Sequence, residues 1–473
     1  MLEPQSYSLG VHRALLDRAR SARFVFGNDT AIVAVQHMLR QTVDLFRTAS
    51  EMGVNLKNIF ALGKVYSNNS HVIRTLRGMG VTVVETTIPE PGEFNSYFQQ
   101  DVEKLWVAAA ESFAQRRIKR VIVLDDAGAC ITRVPCEILR CYAVCGIEQT
   151  SSGVFLFEQS LPPFAVISWA RTAAKLEIGG PIFAHNFIDK LNTQFLHGRS
   201  IRGKRIGVIG FGSIGRGVAS LAARYASKVC FYDPNWNLHI PWFINEKITR
   251  ASSLEELMMS CDYVYGCSGR NPFEGKWPMP YRPGVKLFSV SSGDYEFGPI
   301  ITDLKNKPGF KVSPDTWDIV SESGPCGPIH IAYLGYPYSF VSRGPEAVPR
   351  RIVQLETGGL LAALMQARLH LDLYENGKQD NSGVHRVTPA AQRFVYERWL
   401  SAMKVRNINL REVFGIDAGT LAAAQRESWF IENTEPRTSQ TMVEEMMRRI
   451  ISRLIHSGFE RKTEPEFRAA RQF

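Results

Sequence analysis

Residues 205–217 read Arg-Ile-Gly-Val-Ile-Gly-Phe-Gly-Ser-Ile-Gly-Arg-Gly, and this stretch decides the fold. An apolar, strand-like run leads into a Gly-x-Gly-x-x-Gly turn formed by Gly210, Gly212 and Gly215, and small residues that favour a helix follow. The first glycine permits a tight turn, the second lets a pyrophosphate approach the backbone, and the third lets the helix pack close to the strand. Because a helix N-terminus attracts anions, the pattern predicts a dinucleotide-binding unit.

The type of dinucleotide follows from Asp233, which ends the next predicted strand. Its carboxylate can accept hydrogen bonds from both ribose hydroxyls and would repel a 2′-phosphate. NAD, rather than its 2′-phosphorylated form, is therefore the predicted cofactor. Ser213 and Ile214 belong to the same turn and are predicted to line the cofactor site together with the three glycines.

Strand-like and helix-like segments alternate on both sides of this turn, which is typical of a parallel sheet covered by helices. The predicted fold is α/β, with a Rossmann dinucleotide-binding domain inserted in a second, discontinuous α/β domain and a helical C-terminal extension. The predicted domains are residues 1–185 plus 346–378 for the substrate-like domain, 186–345 for the Rossmann domain and 379–473 for the extension. The first domain has predicted strands at 24–27, 58–63, 81–85, 121–126 and 165–169 and a long predicted helix at 30–52.

Composition and charge exclude several classes of protein. The 473 residues are 45% hydrophobic and 22% charged, as in ordinary globular proteins. Lys and Arg number 56 against 46 Asp and Glu, but the excess is spread along the chain, so we expect no nucleic-acid partner. No apolar run reaches the roughly 18 residues of a membrane span, and no signal-peptide pattern is present. We therefore expect a cytoplasmic protein with no membrane partner. The eight cysteines form no C-x-x-C pair, so no metal site is predicted.

Several short motifs outside the turn occur in a recognisable order. They are His37-Met38, Val-Ile-Val-Leu-Asp-Asp-Ala-Gly at 121–128, Gly-Ile-Glu-Gln-Thr-Ser-Ser-Gly-Val at 146–154, Lys175, Cys-Ser-Gly-Arg-Asn at 267–271 and Ser-Ser-Gly-Asp-Tyr-Glu at 291–296. Over roughly residues 30–370, this order resembles S-adenosylhomocysteine hydrolase. The resemblance implies a substrate domain, an inserted NAD domain and a helix that returns to the substrate domain.

The resemblance also implies roles for individual residues. Lys175 would assist hydride transfer between a substrate hydroxyl and tightly bound NAD, while His37 and Asp126 would move protons beside the oxidised carbon. Gln41 and Gln149 fall at substrate positions. Further cofactor contacts are implied for Thr150, Ser151, Ser152, Ser268 and Gly293. The implied function is transient oxidation of a nucleoside-like or other hydroxylated small molecule by a homo-oligomeric enzyme.

Without the resemblance, the three implied catalytic residues have unequal support. Asp126 ends a predicted strand, where ligands of open α/β sheets bind. His37 lies on a predicted amphipathic helix, where a histidine without a catalytic role fits equally well. A lysine on a helix, such as Lys175, is more often a solvated surface residue.

Two other functions stay open. The turn at 210–216 also resembles that of the D-2-hydroxyacid dehydrogenases, although residues 290–294, Val-Ser-Ser-Gly-Asp, lack the Asn-x-x-Arg-Gly of that family. A non-catalytic NAD-binding or regulatory protein is favoured by departures from the hydrolase, because Gly179 and Gly180 replace an Asp-Asn pair and Asp294 replaces a histidine. The sequence does not identify the substrate.

Overall fold

Two β-sheets, each built mainly from parallel strands and covered by helices, make up the protein. The computed structural model describes residues 10–197, 201–235, 246–341, 348–377, 382–405, 408–414, 416–424 and 439–452. The strands are β1 (Thr30–Val35), β2 (Ile59–Leu62), β3 (Thr82–Val84), β4 (Arg120–Asp125), β5 (Ala143–Glu148), β6 (Val166–Ser168), β7 (Arg205–Ile209), β8 (Lys228–Tyr232), β9 (Ile248–Arg250), β10 (Tyr263–Gly266), β11 (Val285–Ser289), β12 (Phe310–Val312), β13 (Ile319–Gly324), β14 (Gly327–Ile331) and β15 (Val384–Arg386). The α-helices are α1 (Gly10–Ser21), α2 (Arg40–Glu51), α3 (Ser70–Gly78), α4 (Phe94–Phe113), α5 (Cys136–Cys141), α6 (Ser151–Gln159), α7 (Gly180–Lys190), α8 (Ser213–Ala222), α9 (Leu254–Ser260), α10 (Gly298–Leu304), α11 (Arg350–Glu375), α12 (Pro389–Val405), α13 (Leu410–Phe414), α14 (Ala418–Ala424) and α15 (Ser439–Ser452).

The first sheet has the strand order β15-β6-β5-β4-β1-β2-β3, with all neighbours parallel. From β1 the chain adds β2 and β3 on one side, then crosses back and adds β4, β5 and β6 on the other. The strand order therefore reverses between β1 and β4. Ligands of open α/β sheets bind at the carboxyl ends of the strands beside such a reversal.

The second sheet has the order β12-β13-β14-β11-β10-β7-β8-β9. Its part from β14 to β9 is parallel and has the strand order of dinucleotide-binding domains, with a reversal between β7 and β10. Strands β12 and β13 extend it as an antiparallel edge. The glycine turn directly follows β7, so it lies at this second reversal.

Two long helical segments join the sheets. Helix α7 carries the chain from the first sheet to the second between two π-helical segments, Lys175–Gly179 and Leu191–Phe195. Helix α11 returns the chain to the first sheet, where Trp169 donates a hydrogen bond to Glu356 at 3.0 Å. Single-turn π-helical segments occur often at functional sites. Lys175, where this connection begins, is therefore a candidate functional residue.

The predicted fold class is confirmed, with a Rossmann domain, a second sheet domain and a helical C-terminal region. The predicted strand at 24–27 is wrong, because these residues form an irregular connection before β1. The predicted helix at 30–52 is wrong in its first part, since it joins β1 to α2. Every residue of β1 is buried, and a strand buried on both faces is apolar throughout, so its residues also fit a helical period.

Strands β5 and β15 are absent from the prediction. Strand β5 reads Ala-Val-Cys-Gly-Ile-Glu, and its internal glycine weakens the β pattern. Strand β15 pairs with β6 at the sheet edge, so the segment predicted as a helical extension adds a strand to the first sheet. The exact domain boundaries stay a prediction.

Candidate functional site

The glycine turn after β7 has the geometry that a dinucleotide requires. Gly210 has φ of +87°, and a Cβ there would lie 2.6 Å from the Ser268 Cα, so only glycine fits. A Cβ on Gly215 would collide with the Gly210 carbonyl oxygen. A Cβ on Gly212 would meet no atom within 4 Å. The turn therefore leaves open space at Gly212, where a pyrophosphate would approach the N-terminus of α8.

Three other predicted cofactor residues lie in this turn or next to it. The Asp233 carboxylate accepts hydrogen bonds from the backbone N–H groups of Phe211 (2.7 Å) and Asn235 (2.8 Å), which hold it beside the turn. The Ser213 hydroxyl donates to the carbonyl of Leu176, in the π-helical segment that begins at Lys175. Ile214 is partly buried against the core. The turn is thus tied directly to the chain that connects the two sheets.

The loop after β10 is held by a buried carboxylate. Glu296 is fully buried and accepts hydrogen bonds from the Ser268 N–H (2.5 Å) and hydroxyl (2.8 Å) and from the Ser289 hydroxyl (3.1 Å). Burial raises the pKa of Glu296 above its usual value. Ser268, a predicted cofactor residue, therefore lies beside Gly210 in a fixed position. The sequence gives no sign that Glu296 has this anchoring role.

Gly293, another predicted cofactor residue, lies at a contact between the two sheets. It has φ of +66°, and its N–H donates to the Tyr66 hydroxyl at 3.3 Å. The neighbouring Asp294 accepts a hydrogen bond from the Phe94 N–H at 3.3 Å, and burial raises the pKa of Asp294 to about 6. This segment fastens the Rossmann domain to the first sheet domain.

A second group of functional side chains lies at the reversal in the first sheet. His37 follows β1, Lys64 follows β2 and Asp126 follows β4, and we call these three residues the switch-point cluster. The Lys64 ammonium donates to Asp126 Oδ1, and their side chains are 1% and 5% exposed. The Nε2 atom of His37 lies 3.4 Å from Asp126 Oδ2. A buried histidine, lysine and carboxylate thus meet at the point where this fold binds ligands.

The charges of the switch-point cluster follow from burial and pairing. Burial alone would raise the pKa of Asp126, but the adjacent Lys64 charge brings it well below its usual value. Burial would lower the pKa of Lys64, yet Asp126 raises it above its usual value. Burial lowers the pKa of His37 to about 4, helped by the charges of Lys64 and Lys175 and opposed by Asp126. At neutral pH the cluster therefore holds an ion pair and a neutral imidazole.

Ser67 connects the cluster to an open cleft. The Ser67 Oγ and His37 Nδ1 atoms are 2.7 Å apart. The Phe340 ring stacks on the imidazole, with 3.9 Å between ring centres. Ser67 and Phe340 both line a cleft of about 70 Å³, partly open to solvent, between the first sheet domain and α7. Ser67 is absent from the sequence-based candidates, and the capping side chain of the helix that follows it is Asn69.

Lys175 lies between the glycine turn and the switch-point cluster. Its ammonium donates to Glu356 Oε2 at 2.8 Å, and its side chain is 21% exposed. Its charge lowers the pKa of His37. The next residue, Leu176, accepts the hydrogen bond of Ser213 from the glycine turn. Lys175 is therefore close enough to His37 to affect its pKa, and its neighbour Leu176 contacts the turn.

The remaining predicted residues divide between the cluster, the cleft and a helix cap. Gln149 donates to Asp126 and accepts from Gln36 at 3.2 Å, so it supports the cluster. Gln41 lines the cleft. Thr150 caps α6 by accepting the Gly153 N–H at 3.1 Å, and its hydroxyl also donates to Glu148 at 2.6 Å. Ser151 and Ser152 form the first turn of that helix.

Sequence reasoning missed Lys64, Ser67 and Glu356. Lys64 directly follows the predicted strand at 58–63, so the rule that ligands bind at the carboxyl ends of parallel strands would have selected it. Glu356 lies inside a long helix, and no sequence signal marks it. Within the described ranges, no group of His, Cys, Asp or Glu is arranged to hold a metal ion. No helix in the same ranges is long and apolar enough to cross a membrane.

The family of the cofactor domain follows from comparison with known proteins. Residues 182–272 match the sequence model of the NAD binding domain of D-isomer specific 2-hydroxyacid dehydrogenases. The match begins in α7, ends after β10 and includes the glycine turn and Asp233. The Rossmann domain is an NAD-binding domain. NAD as the predicted cofactor is confirmed.

Curated relatives match only part of their own length. Two uncharacterized proteins of Mycobacterium tuberculosis, from strains CDC 1551 / Oshkosh and H37Rv, are each 27% identical over 280 residues, which is 59% of this chain and 53% of theirs. D-3-phosphoglycerate dehydrogenase of Haemophilus influenzae is 32% identical over 116 residues, covering 22% of this chain and 27% of that enzyme. The chain thus spans about half the length, or less, of the curated relatives it matches.

Solved structures with similar architecture are distant. NAD-bound 3-phosphoglycerate dehydrogenase of Entamoeba histolytica has a TM-score of 0.34 at 14% identity, covering 74% of this chain and 96% of that one. A putative D-3-phosphoglycerate dehydrogenase of Ralstonia solanacearum has a TM-score of 0.35 at 13% identity, covering 75% and 96%. Scores at this level are too low to transfer a property from those proteins to this one.

The resemblance to S-adenosylhomocysteine hydrolase is wrong, and so is the hydrolase-like function it implied. The family match is to the 2-hydroxyacid dehydrogenases, which was the alternative for the turn at 210–216. The misleading motifs are short and have local structural causes. Asp125 accepts hydrogen bonds from the N–H groups of Cys130 (2.7 Å) and Ile131 (2.8 Å), and Thr150 caps a helix. Acidic and hydroxyl residues recur after strands of unrelated proteins for the same reasons.

Proposed function

We propose that the protein is an NAD-dependent dehydrogenase of the D-2-hydroxyacid type, which moves a hydride between NAD and the alcohol carbon of a small hydroxylated substrate. One observation supports the proposal: Lys175 affects the pKa of His37, adjoins the residue that bonds to the NAD-binding turn, and its ammonium lies 5.6 Å from the ring of Phe183, which lines the cleft. The turn fits the cofactor, because Gly212 leaves room for the pyrophosphate. NAD, when bound, supplies the ring carbon that accepts or returns the hydride.

Oxidation of an alcohol also requires a group that removes the hydroxyl proton. The Asp126 carboxylate faces Nε2 of His37, which favours the tautomer with its proton on that nitrogen. In that tautomer Nδ1 accepts the hydrogen bond of the Ser67 hydroxyl at 2.7 Å, and the Lys64 carbonyl, at 3.2 Å, is the other acceptor within reach of that hydroxyl. A substrate hydroxyl bound to Ser67 Oγ would pass its proton through Ser67 to His37.

Charged residues set the basicity of His37. Burial and the charges of Lys64 and Lys175 lower its pKa to about 4, so the imidazole is unprotonated at neutral pH and a weak base, and Asp126 is the group that raises its affinity for a proton. Asp126 would stabilise the imidazolium that forms, and Lys64 keeps Asp126 ionised. Lys175, held by Glu356, would stabilise negative charge that develops on the substrate oxygen.

The test begins with the affinity of the purified protein for NAD, measured by calorimetry. Alcohols and 2-hydroxy acids are then screened through the near-ultraviolet absorbance of NADH. We expect NADH to form with at least one compound, and His37→Gln to lower kcat by about 100-fold or more. His71→Gln, an exposed histidine on α3, is the control. A protein that binds NAD but oxidises nothing in a broad screen would instead be a non-catalytic NAD-binding protein.

Two further proposals concern assembly and location. We expect a homo-oligomer, which light scattering of the purified protein would test. We also expect the protein in the cytoplasm, which fractionation of the source cells would test. A monomer across the accessible concentration range, or recovery outside the cytoplasmic fraction, would contradict the respective proposal.

A further inference from the structure

Two cysteines of the Rossmann domain lie side by side on one face of its sheet. Cys230 is on β8, and its register partners are Gly207 on β7 and Thr249 on β9. Register partners in a parallel sheet point to the same face, and the Cys230 Sγ atom is accordingly 3.5 Å from Thr249 Oγ1. Cys261 directly follows α9, the helix that covers this face at Gly207.

Gly207 leaves the space between the two thiols open. A Cβ on Gly207 would lie 3.2 Å from the Cys261 Sγ atom, so this sulfur lies over β7 where a side chain would otherwise stand. Cys230 points to the same face from the adjacent strand, so no side chain of β7, a strand that the structure describes in full, separates the two sulfurs. The Cys261 thiol donates a hydrogen bond to the Cys230 sulfur. The two sulfurs are therefore in direct contact.

The two thiols differ in exposure and in acidity. Cys230 is 8% exposed, whereas Cys261 is fully buried. The hydrogen bond from Cys261 lowers the pKa of the Cys230 thiol to about 6, against the opposing effect of burial, and the same bond raises the pKa of Cys261. Burial instead raises the pKa of the thiols of Cys130, Cys145 and Cys267. At neutral pH Cys230 is therefore a thiolate, which is the reactive form of cysteine.

We propose that Cys230 and Cys261 form a redox-active pair that hydrogen peroxide oxidises to a reversible disulfide, a property separate from the proposed dehydrogenase function. The Cys230 sulfur attacks one peroxide oxygen, the O–O bond breaks, and the leaving hydroxide takes up a proton to give water, so that Cys230 becomes a sulfenic acid. The Cys261 sulfur then loses its proton and attacks the Cys230 sulfur, and the S–O bond breaks to release a second water. The two thiols give up two electrons, which reduce the peroxide to two molecules of water.

The disulfide would join segments on either side of the strand that carries the glycine turn. Strand β8 leads to Asp233, β10 leads to Ser268, and β7 between them leads to Gly210. Cys230 lies within β8, and Cys261 precedes β10 by two residues. The cross-link would therefore tie together the strands that position the NAD site.

Mass spectrometry of the intact purified chain tests the proposal. The protein is treated with hydrogen peroxide, its remaining thiols are alkylated, and its peptides are analysed with and without dithiothreitol. We expect a peptide pair linked through Cys230 and Cys261 that dithiothreitol separates. Cys261→Ala should lose the link and accumulate a sulfenic acid at Cys230, which dimedone traps. Cys136→Ser, at an exposed cysteine of α5, is the control and should keep the link.

Full alkylation of Cys230 and Cys261 after peroxide has oxidised Cys136 would overturn the inference, as would a disulfide from Cys230 to any other cysteine. If Cys261→Ala does not fold, phenylarsine oxide, which bridges two neighbouring thiols, gives a second test on the unaltered chain. We expect the bound arsenical to protect both cysteines of the pair from alkylation until ethanedithiol removes it. Unprotected alkylation of either cysteine would contradict the inference, because a bridge requires the two sulfurs to be in contact.

Discussion

The imidazole of His37 lies 3.4 Å from the carboxylate of Asp126 because β1 and β4, which these residues follow, are neighbours at the strand-order reversal of the first sheet. The buried ammonium of Lys64, from β2, completes the arrangement. The same reversal occurs in the second sheet, where it holds the glycine turn. Each sheet thus has candidate site residues at its own strand-order reversal.

The Lys64–Asp126 pair should be strongly coupled in stability. Asp126→Leu or Lys64→Met alone leaves one buried charge without its partner, which typically costs about 3–5 kcal/mol in unfolding free energy. The double variant removes both charges, so we expect it to be clearly more stable than the sum of the single losses predicts. Urea unfolding measures the free energy of unfolding of the two single variants and of the double variant. Arg448→Met, in an exposed pair with Glu445, should stay close to wild type, and additive losses at Lys64 and Asp126 would contradict the coupling.

Stability should fall as pH falls below about 6.5, through two buried histidines. His12 lies between the hydroxyls of Thr48 (2.9 Å) and Thr357 (2.7 Å), and burial lowers its pKa to about 3. The pKa of His37 is lowered to about 4. The unfolded chain takes up these protons near pH 6.5 and the folded chain does not, so their stabilisation is complete above pH 6.5. Below pH 6.5, each histidine should lower the free energy of unfolding by about 1.4 kcal/mol per pH unit, down to its own pKa in the folded protein.

The contribution of His12 is best isolated as a difference between variants. Asp125 and Asp294 have pKa values raised by burial to about 6, so their protonation favours the folded state below that pH and partly offsets the histidines. We therefore expect the unfolding free energy of His12→Gln to depend less steeply on pH than that of the wild type between pH 6.5 and 4. His71→Gln should keep the wild-type slope. Equal slopes for His12→Gln and wild type would show that His12 is protonated in the folded state.

Gly212→Ala should separate NAD binding from stability. The backbone there has φ of −74° and ψ of −159°, in the extended region, and a Cβ would meet no atom within 4 Å. We therefore expect an unchanged melting temperature. The dissociation constant for NAD should rise at least about tenfold, since the methyl group occupies space that the pyrophosphate needs. Gly78→Ala, at the end of α3, is the control, and unchanged NAD affinity in Gly212→Ala would place the pyrophosphate elsewhere.

Lys175→Met should lower kcat without changing NAD affinity. The ammonium near His37 is placed to stabilise charge that forms during the reaction, and loss of such a group typically costs about 100- to 1000-fold in kcat. Glu356→Gln should have a smaller effect, because it loosens Lys175 without removing its charge. Lys119→Met, at an exposed position, serves as the control. A wild-type kcat in Lys175→Met would remove this residue from the mechanism.

The glycine turn shows how much one local motif can predict. Gly210, Gly212 and Gly215 have backbone roles that follow from the absence of a Cβ, so the sequence alone predicted their geometry. The longer comparison of short motifs failed. Asp125 and Thr150 satisfy nearby backbone groups, and such local bonds recur in unrelated folds, so the order of these residues carried little information about family.

By itself, the sequence determined the α/β class, the NAD-binding turn and the acidic residue beside it, because these depend on contacts between residues close along the chain. Only the tertiary structure decided that His37 follows a strand rather than lying on a helix, and that Lys64 and Ser67 join it at Asp126. A strand buried on both faces has no alternating pattern, so the sequence predicted a helix where β1 lies. The pairing of β1, β2 and β4, and the burial that sets the charges of the residues after them, exist only once the sheet has formed.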